Sequence, residues 1–277
     1  MVFDCSFDLT QPSAGAQQYA DAHIPGAIYA NLDTDLSALH GAPGATGTVT
    51  AHEADEPASG GRHPLPSRER FAIWLSSVGF ANGMQAVVYD RNGANYCGRL
   101  WWMLKWAGHE AVAVLDGGIA AWQAAGQPLA TGRSEVPALP AYPGRFDTSQ
   151  IASAEEIATR LKHAPGWLVD ARAGERFRGE AEPLDPVAGH VPGAVNRPFA
   201  LNVRDGRLRD AQELRAELQA VIGNREPQQV VLMCGSGVTA CHLLLAMEAA
   251  GLTGARIYAD SWSGWVSDPS RPVASGA

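Results

Sequence analysis

Cys234 closes an apolar run, Val230-Val231-Leu232-Met233, and opens a Gly-rich turn, Gly235-Ser236-Gly237, that leads into a helical pattern at Val238-Thr239-Ala240. In open α/β sheets, ligands bind at such strand-to-helix junctions. A turn with two glycines lets successive backbone N–H groups converge as an anion-holding nest, and the helix start adds its positive end. A thiol at the head of that turn is expected to have a depressed pKa and to act as a nucleophile near neutral pH. Cys5, Cys97 and Cys241 read instead as small core residues.

Other chemistries fit the same loop less well. Gly235-x-Gly237-x-x-Ala240 is a loose G-x-G-x-x-A, and Asp260 follows a later strand as a ribose-binding acid would. The unit sits near the C-terminus, however, so the sheet such a site requires is truncated. Ser236 is preceded two residues back by Cys234, so the G-x-S-x-G of a serine hydrolase is absent. Phosphoryl transfer on a cysteine loop needs an arginine clamp at the sixth following residue, and that residue is Ala240.

The elements that must position Cys234 occur twice. His23-Ile24-Pro25-Gly26-Ala27 recurs as His190-Val191-Pro192-Gly193-Ala194, an offset of 167. Val87-Val88-Tyr89-Asp90 falls on Val231-Leu232-Met233-Cys234 at 144, carrying Gly93 onto Gly237 and Cys97 onto Cys241. The matches keep one order, so the chain is a duplication. The offset drops by 23 between these motifs. The first copy therefore carries that many extra residues, assigned to a Gly/Ala/Pro-rich surface loop from His40 to Pro66. Domains are expected at 1–128 and 149–277, joined by a proline-bearing, semi-extended linker at 129–148.

Strands are expected at Ala86–Tyr89, Ala111–Leu115, Trp167–Val169, Gln229–Met233 and Arg256–Tyr258. Helices are expected at Ser67–Val78, Arg99–Ala107, Ser153–His163, Asp210–Val221 and Val238–Ala250, the last with an apolar stripe of Ala240, Leu243, Leu244 and Met247. Alternating strands and helices predict an α/β fold, two tandem domains each with a mainly parallel sheet flanked by helices.

Composition limits the partners. The chain has 277 residues, 46% hydrophobic, with 29 Asp+Glu against 21 Lys+Arg and a net charge of −8. Nucleic acid and anionic membranes both need a basic surface, so neither is an expected partner. No apolar run approaches a membrane span, and no leader segment is evident, so the expectation is cytoplasmic. Four scattered cysteines build neither a disulfide framework nor a zinc site, so no metal is expected.

The loop Cys234-Gly235-Ser236-Gly237-Val238-Thr239-Ala240 resembles the active-site loop of two-domain sulfurtransferases of the rhodanese family. The likeness extends to both His-x-Pro-Gly-Ala turns, to Asp170-Ala171-Arg172…Arg176-Phe177-Arg178-Gly179-Glu180, and to Ser261-Trp262-Ser263-Gly264-Trp265. It implies that the second domain carries the reactive cysteine and that the first is an inactive copy, with Asp90 at the nucleophile position. The implied reaction is a double displacement through a Cys234 persulfide, with no cofactor. The backbone of Gly235, Gly237, Val238 and Thr239 would cradle the terminal sulfur.

The donor implied by the Cys-Gly-Ser-Gly form is 3-mercaptopyruvate, with thiosulfate as the competing donor, because the loop has no cation to meet a dianion. Ser236 would then handle protons together with His63 and Asp33. Arg176 aligns with the family's substrate-binding arginine. The mercaptopyruvate branch often has a second arginine further along, which the short stretch Glu180–Pro186 does not supply, leaving Arg178 or Arg172 as substitutes. Ala259-Asp260 stands where the family usually has Asp-Gly, and Gly264 where it often has Glu. Neither departure is expected to bear on the chemistry. The implied acceptors are a thiol such as thioredoxin or glutathione, or cyanide. A non-catalytic sulfur carrier is the reading from another class. His23 and His190, present in both copies, are expected to be structural.

Overall fold

A computed structural model describes residues 1–38, 57–134, 136–163 and 165–276. Residues 40–56 of the predicted surface loop lie outside the described residues. The chain divides into two compact units. The first comprises Met1–Ser59, His63–Asp147 and Asp205–Arg207; the second comprises Gly60–Arg62, Thr148–Arg204 and Leu208–Ala277.

In the first unit, β1 (Val2–Asp4), β2 (Ile28–Tyr29), β3 (Ala86–Tyr89) and β4 (Val112–Val114) form a parallel sheet ordered β2-β1-β3-β4. Helices α1 (Ala14–Asp21), α2 (Arg68–Ser77), α3 (Cys97–Trp106) and α4 (Gly118–Ala124) accompany it. The second unit repeats the plan. Its strands β5 (Leu168–Asp170), β6 (Val195–Asn196), β7 (Val231–Met233) and β8 (Arg256–Ile257) are parallel in the order β6-β5-β7-β8. Its helices are α5 (Ala154–Arg160), α6 (Gly174–Phe177), α7 (Ala211–Ile222), α8 (Thr239–Ala249) and α9 (Ser261–Trp265). Strand for strand, the order is the same in both units.

The helix boundaries have local causes. The Ser67 hydroxyl accepts from the Arg70 N–H, the Ser153 hydroxyl from Glu156, and the Asp210 carboxylate from Gln212 and Glu213. Each side chain satisfies an N–H that the first helical turn leaves without a partner. Strands β5 and β7 are buried at every position, as parallel strands covered on both faces must be. Helix α8 is buried all round over Ala240–Met247. The predicted stripe is therefore too narrow, because α8 packs in the interior and meets protein on every side.

His23 and His190 do one job twice. Each Nδ1 pairs with a backbone carbonyl at 2.8 Å, that of Tyr19 or Phe177, and each ring stacks on the same residue. Each also bridges a late segment, His23 to Ala130 and His190 to Ala274. Segment 129–148 is not a free spacer. Within the first unit Ala130 bonds His23, Leu139 bonds Ser76, Arg145 bonds Ala107 and Asp147 bonds Trp106. Phe146 also packs edge-on against Trp106. Its prolines read as a linker, but its backbone N–H groups are anchored one after another on the first unit.

Candidate active site

Cys234 directly follows β7, which is hydrogen-bonded on both sides, by β5 and β8. Its side chain is buried. The Cys234 N–H donates to Ser261 Oγ at 3.1 Å, and that hydroxyl donates to the Tyr258 carbonyl at 2.9 Å while lying 4.0 Å from the Cys234 sulfur. Ser261 holds a left-handed backbone, φ +54, which a non-glycine residue adopts only at some strain. Two further bonds fix the loop to α9: Trp262 N–H donates to the Cys234 carbonyl at 3.0 Å and Ser263 N–H to the Gly235 carbonyl at 2.9 Å. In a trans peptide the carbonyl and the following N–H point opposite ways. The Gly235 and Ser236 N–H groups are thus directed away from α9. Gly237, at φ +77, makes the tight turn into α8.

The first unit shows what this loop geometry holds. Asp90 occupies the Cys234 place, and its buried carboxylate accepts four backbone N–H groups. Oδ1 receives Asn92 at 2.8 Å and Ala94 at 3.0 Å; Oδ2 receives Tyr96 at 2.8 Å and Cys97 at 2.9 Å. Gly118, the counterpart of Ser261, packs so closely that a Cβ would lie 2.0 Å from the Asp90 carbonyl. One copy of the loop carries its own anion; the other carries a thiol at the same place. Asp90→Ala is expected to destabilise the first unit by about 2–3 kcal/mol, because four inward N–H groups lose a charged acceptor. Urea unfolding measures it, and an unchanged midpoint would contradict the cradle's role.

The remaining cysteines are buried free thiols. Burial, then the nearby acids Asp4 and Asp90, pushes Cys5 well above the ordinary thiol range, and burial followed by Asp90 does the same to Cys97. Both are thereby poor nucleophiles. Cys241 donates to the Gly237 carbonyl at 3.2 Å and so braces the turn.

Of the predicted site residues, Cys234, Gly235, Ser236, Gly237, Val238, Thr239 and Arg176 fall in the second unit; His63 and Asp33 fall in the first. There His63 Nε2 meets Asp33 Oδ1 at 3.3 Å, with the ring buried and its carbonyl accepting from Arg99 Nη2 at 3.0 Å. Arg176 projects from α6 and is gripped by two acids: Nη2 reaches Glu182 Oε1 at 2.6 Å and Asp185 Oδ2 at 3.1 Å. Burial raises the Asp185 carboxyl, only partly opposed by Arg62. At Glu182 burial also pushes upward, but the Arg176 bond and charge prevail and leave it below the usual range.

Arg178 pairs with Glu180 in solvent. Arg172 is buried on Asp170, Glu182 and the Gly189 carbonyl, beneath Trp262. The guanidiniums that flank Gly235 are those of Arg62 and Arg176. A Cβ placed on Gly235 would lie 3.2 Å from Arg62 Nη2 and 3.5 Å from Arg176 Nη1. No motif in the sequence marks Arg62, and the stretch Glu180–Pro186 stands out there only for lacking an arginine.

The two departures of the closing motif have structural partners. Asp260 Oδ1 accepts the Gly60 N–H at 2.7 Å, Ser263 Oγ accepts the Arg62 N–H at 2.9 Å, and a Cβ on Gly264 would strike the Asp260 side chain at 2.4 Å. Asp260 and Gly264 thus seat the segment that carries Arg62.

Fold and site define a duplicated α/β protein with one anion cradle filled by a carboxylate and the other headed by a cysteine. The family described as "Rhodanese-like domain" matches residues 3–125 and 153–268. A "Probable 3-mercaptopyruvate sulfurtransferase" of Pseudomonas aeruginosa is 43% identical over 282 residues, covering 100% of this chain and 92% of that protein. A thiosulfate sulfurtransferase of Cricetulus griseus is 31% identical, covering 95% and 84%. Among solved structures, the 3-mercaptopyruvate sulfotransferase SseA from Escherichia coli superimposes with a TM-score of 0.76 at 29% identity, covering 95% of this chain and 92% of that one. The chain belongs to the rhodanese family, as a two-domain sulfurtransferase. No helix among the described residues is long and apolar enough to cross a membrane.

Proposed function

We propose that the protein moves a sulfane sulfur from 3-mercaptopyruvate to a thiol or cyanide through a persulfide on Cys234. The observation that carries this reading is the filled loop of the first unit. There the same turn binds the Asp90 carboxylate through four N–H groups, so the Cys234 loop suits a thiolate and then a persulfide anion. In the first half-reaction the Cys234 thiolate attacks the donor sulfur. The S–S bond forms and the C–S bond breaks, its electron pair leaving as pyruvate enolate, which takes up a proton to become pyruvate. In the second half-reaction an acceptor thiolate, from a protein such as thioredoxin or from glutathione, takes the outer sulfur and returns the Cys234 thiolate. With cyanide the product is thiocyanate.

Arg176 suits the donor carboxylate, since a planar guanidinium meets a carboxylate along two parallel bonds. Gly235, Gly237, Val238 and Thr239 supply the cradle. Ser236, with His63 held by Asp33, is assigned the proton transfer to the departing enolate; the His63–Asp33 pair at 3.3 Å supports that order. The Pseudomonas relative at 43% identity favours mercaptopyruvate as donor. Four free thiols suit the reducing cytoplasm.

Initial rates with the two donors under one acceptor test the assignment. The expected result is a kcat/KM for 3-mercaptopyruvate at least about 10-fold above that for thiosulfate, the scale of one charge-assisted contact. A thiosulfate preference would remove the Ser236–His63–Asp33 relay. Absence of both activities would return the protein to the carrier class.

A further inference from the structure

We propose that Arg62 is the second arginine of the donor site, closing with Arg176 on the carboxylate of a small α-keto acid. This rests on Cys234 being the nucleophile. Asp185 bridges the two guanidiniums, Oδ1 on Arg62 Nη1 and Oδ2 on Arg176 Nη2. Glu182 takes the Nε edge of Arg176. Arg62 Nη2 and Arg176 Nη1 are not taken by these acids, and a Cβ on Gly235, the residue after the nucleophile, would lie 3.2 and 3.5 Å from them, with the acid-bound Arg176 Nη2 at 3.6 Å. The Arg62 side chain is 11% exposed, and its Nε–H has no partner among the described residues. A buried guanidinium with donors to spare beside a nucleophile is built for an anionic ligand.

Glycine at 235 leaves this space open. A side chain there would occupy the space in which the two guanidiniums converge. The backbone under Arg62 is equally committed. Gly60 and Arg62 donate to Asp260 and Ser263, and Gly61, at φ +84, approaches so closely that a Cβ would lie 2.4 Å from the Asp260 carbonyl. The charges define the ligand class further. Arg62, Arg172 and Arg176 are met by Asp170, Glu182 and Asp185, so the cluster is neutral as a whole. It offers a carboxylate directed hydrogen bonds, not a field that would gather a dianion. Arg62 therefore sets donor specificity as well as affinity.

The test has two readouts on the full-length protein, Arg62→Gln and Arg62→Lys. In turnover, KM for 3-mercaptopyruvate is expected to rise about 10- to 100-fold in Arg62→Gln, with kcat changed far less, as for the loss of hydrogen bonds to a charged group. Arg62→Lys keeps the charge and a partner for Asp185 but loses the fork, and is expected to recover only part of the affinity. In binding, pyruvate is the probe: it should slow carbamidomethylation of Cys234 in the wild type, read by peptide mapping. The concentration needed should rise by the same factor in Arg62→Gln. An unchanged KM and unchanged pyruvate protection in a folded Arg62→Gln would overturn the assignment while leaving the Cys234 reaction intact. Failure of the wild type to turn over mercaptopyruvate, with pyruvate protection still dependent on Arg62, would overturn the reaction and keep the α-keto acid clamp. No pyruvate protection in the wild type overturns the clamp.

Discussion

Cys234→Ser is expected to lower sulfur transfer by roughly 10^4-fold or more, the order of loss when a covalent nucleophile is removed, and to leave the fold intact. Serine is close to cysteine in size and keeps the backbone N–H that donates to Ser261. The loop's fixtures, from Trp262 and Ser263 to the Cys234 and Gly235 carbonyls, do not involve the sulfur. A hydroxyl in the same cradle is not appreciably ionised near neutral pH and does not form a persulfide. The variant should therefore show wild-type urea unfolding with no sulfur transfer. Cys97→Ser and Cys241→Ser are the controls, because Cys97 is held protonated by burial and Asp90, and Cys241 faces the Gly237 carbonyl. Transfer that survives in Cys234→Ser would remove the cradle from the mechanism.

Arg172→Met is expected to cost about 3–5 kcal/mol of stability, the range for stripping one partner from a buried ion pair. The Arg172 guanidinium is essentially buried and meets Asp170 Oδ2 at 2.7 Å, the Gly189 carbonyl at 2.7 Å and Glu182 Oε2 at 3.3 Å, stacked 4.5 Å from the Trp262 ring. Methionine fills the space of the stem but leaves the buried Asp170 carboxylate without its cation and takes from Glu182 one of its two arginines. Arg172→Lys keeps the charge yet cannot bond Asp170 along two edges or lie flat on Trp262, so only part of the loss should return. Urea unfolding of the two variants against wild type gives the values. A loss below about 1 kcal/mol for Arg172→Met would mean that water already screens the cluster.

Much of this was legible in the chain because duplication repeats constraints in order. His-x-Pro-Gly-Ala twice, followed by paired apolar runs and paired glycines, fixes the succession of elements without any contact being known. Long helices were readable to within about three residues, and Ser67, Ser153 and Asp210 mark three of their starts. The short strands β1, β2 and β6 and the short helices α1, α4, α6 and α9 were not found, because so few residues show little period. Cys234 stood out because a Gly-rich turn after a buried strand is a local signal. Arg62, Glu182 and Asp185 gave none. Their meaning lies in side chains that meet across distant stretches of chain, and a buried arginine on two acids reads in sequence like any solvated charge. Segment 129–148 misled for the opposite reason: three prolines announce extended chain but say nothing about where its N–H groups are anchored.

The central claim is that sulfur leaves 3-mercaptopyruvate for Cys234, and the direct measurement is to locate that sulfur. The protein is treated with one equivalent of 3-mercaptopyruvate without acceptor, alkylated, digested and mapped by mass spectrometry. The account predicts one added sulfur atom per chain, on the peptide carrying Cys234, released on addition of a thiol together with a matching yield of pyruvate. Sulfur on Cys5, Cys97 or Cys241, or pyruvate released with no sulfur retained on the protein, would contradict it.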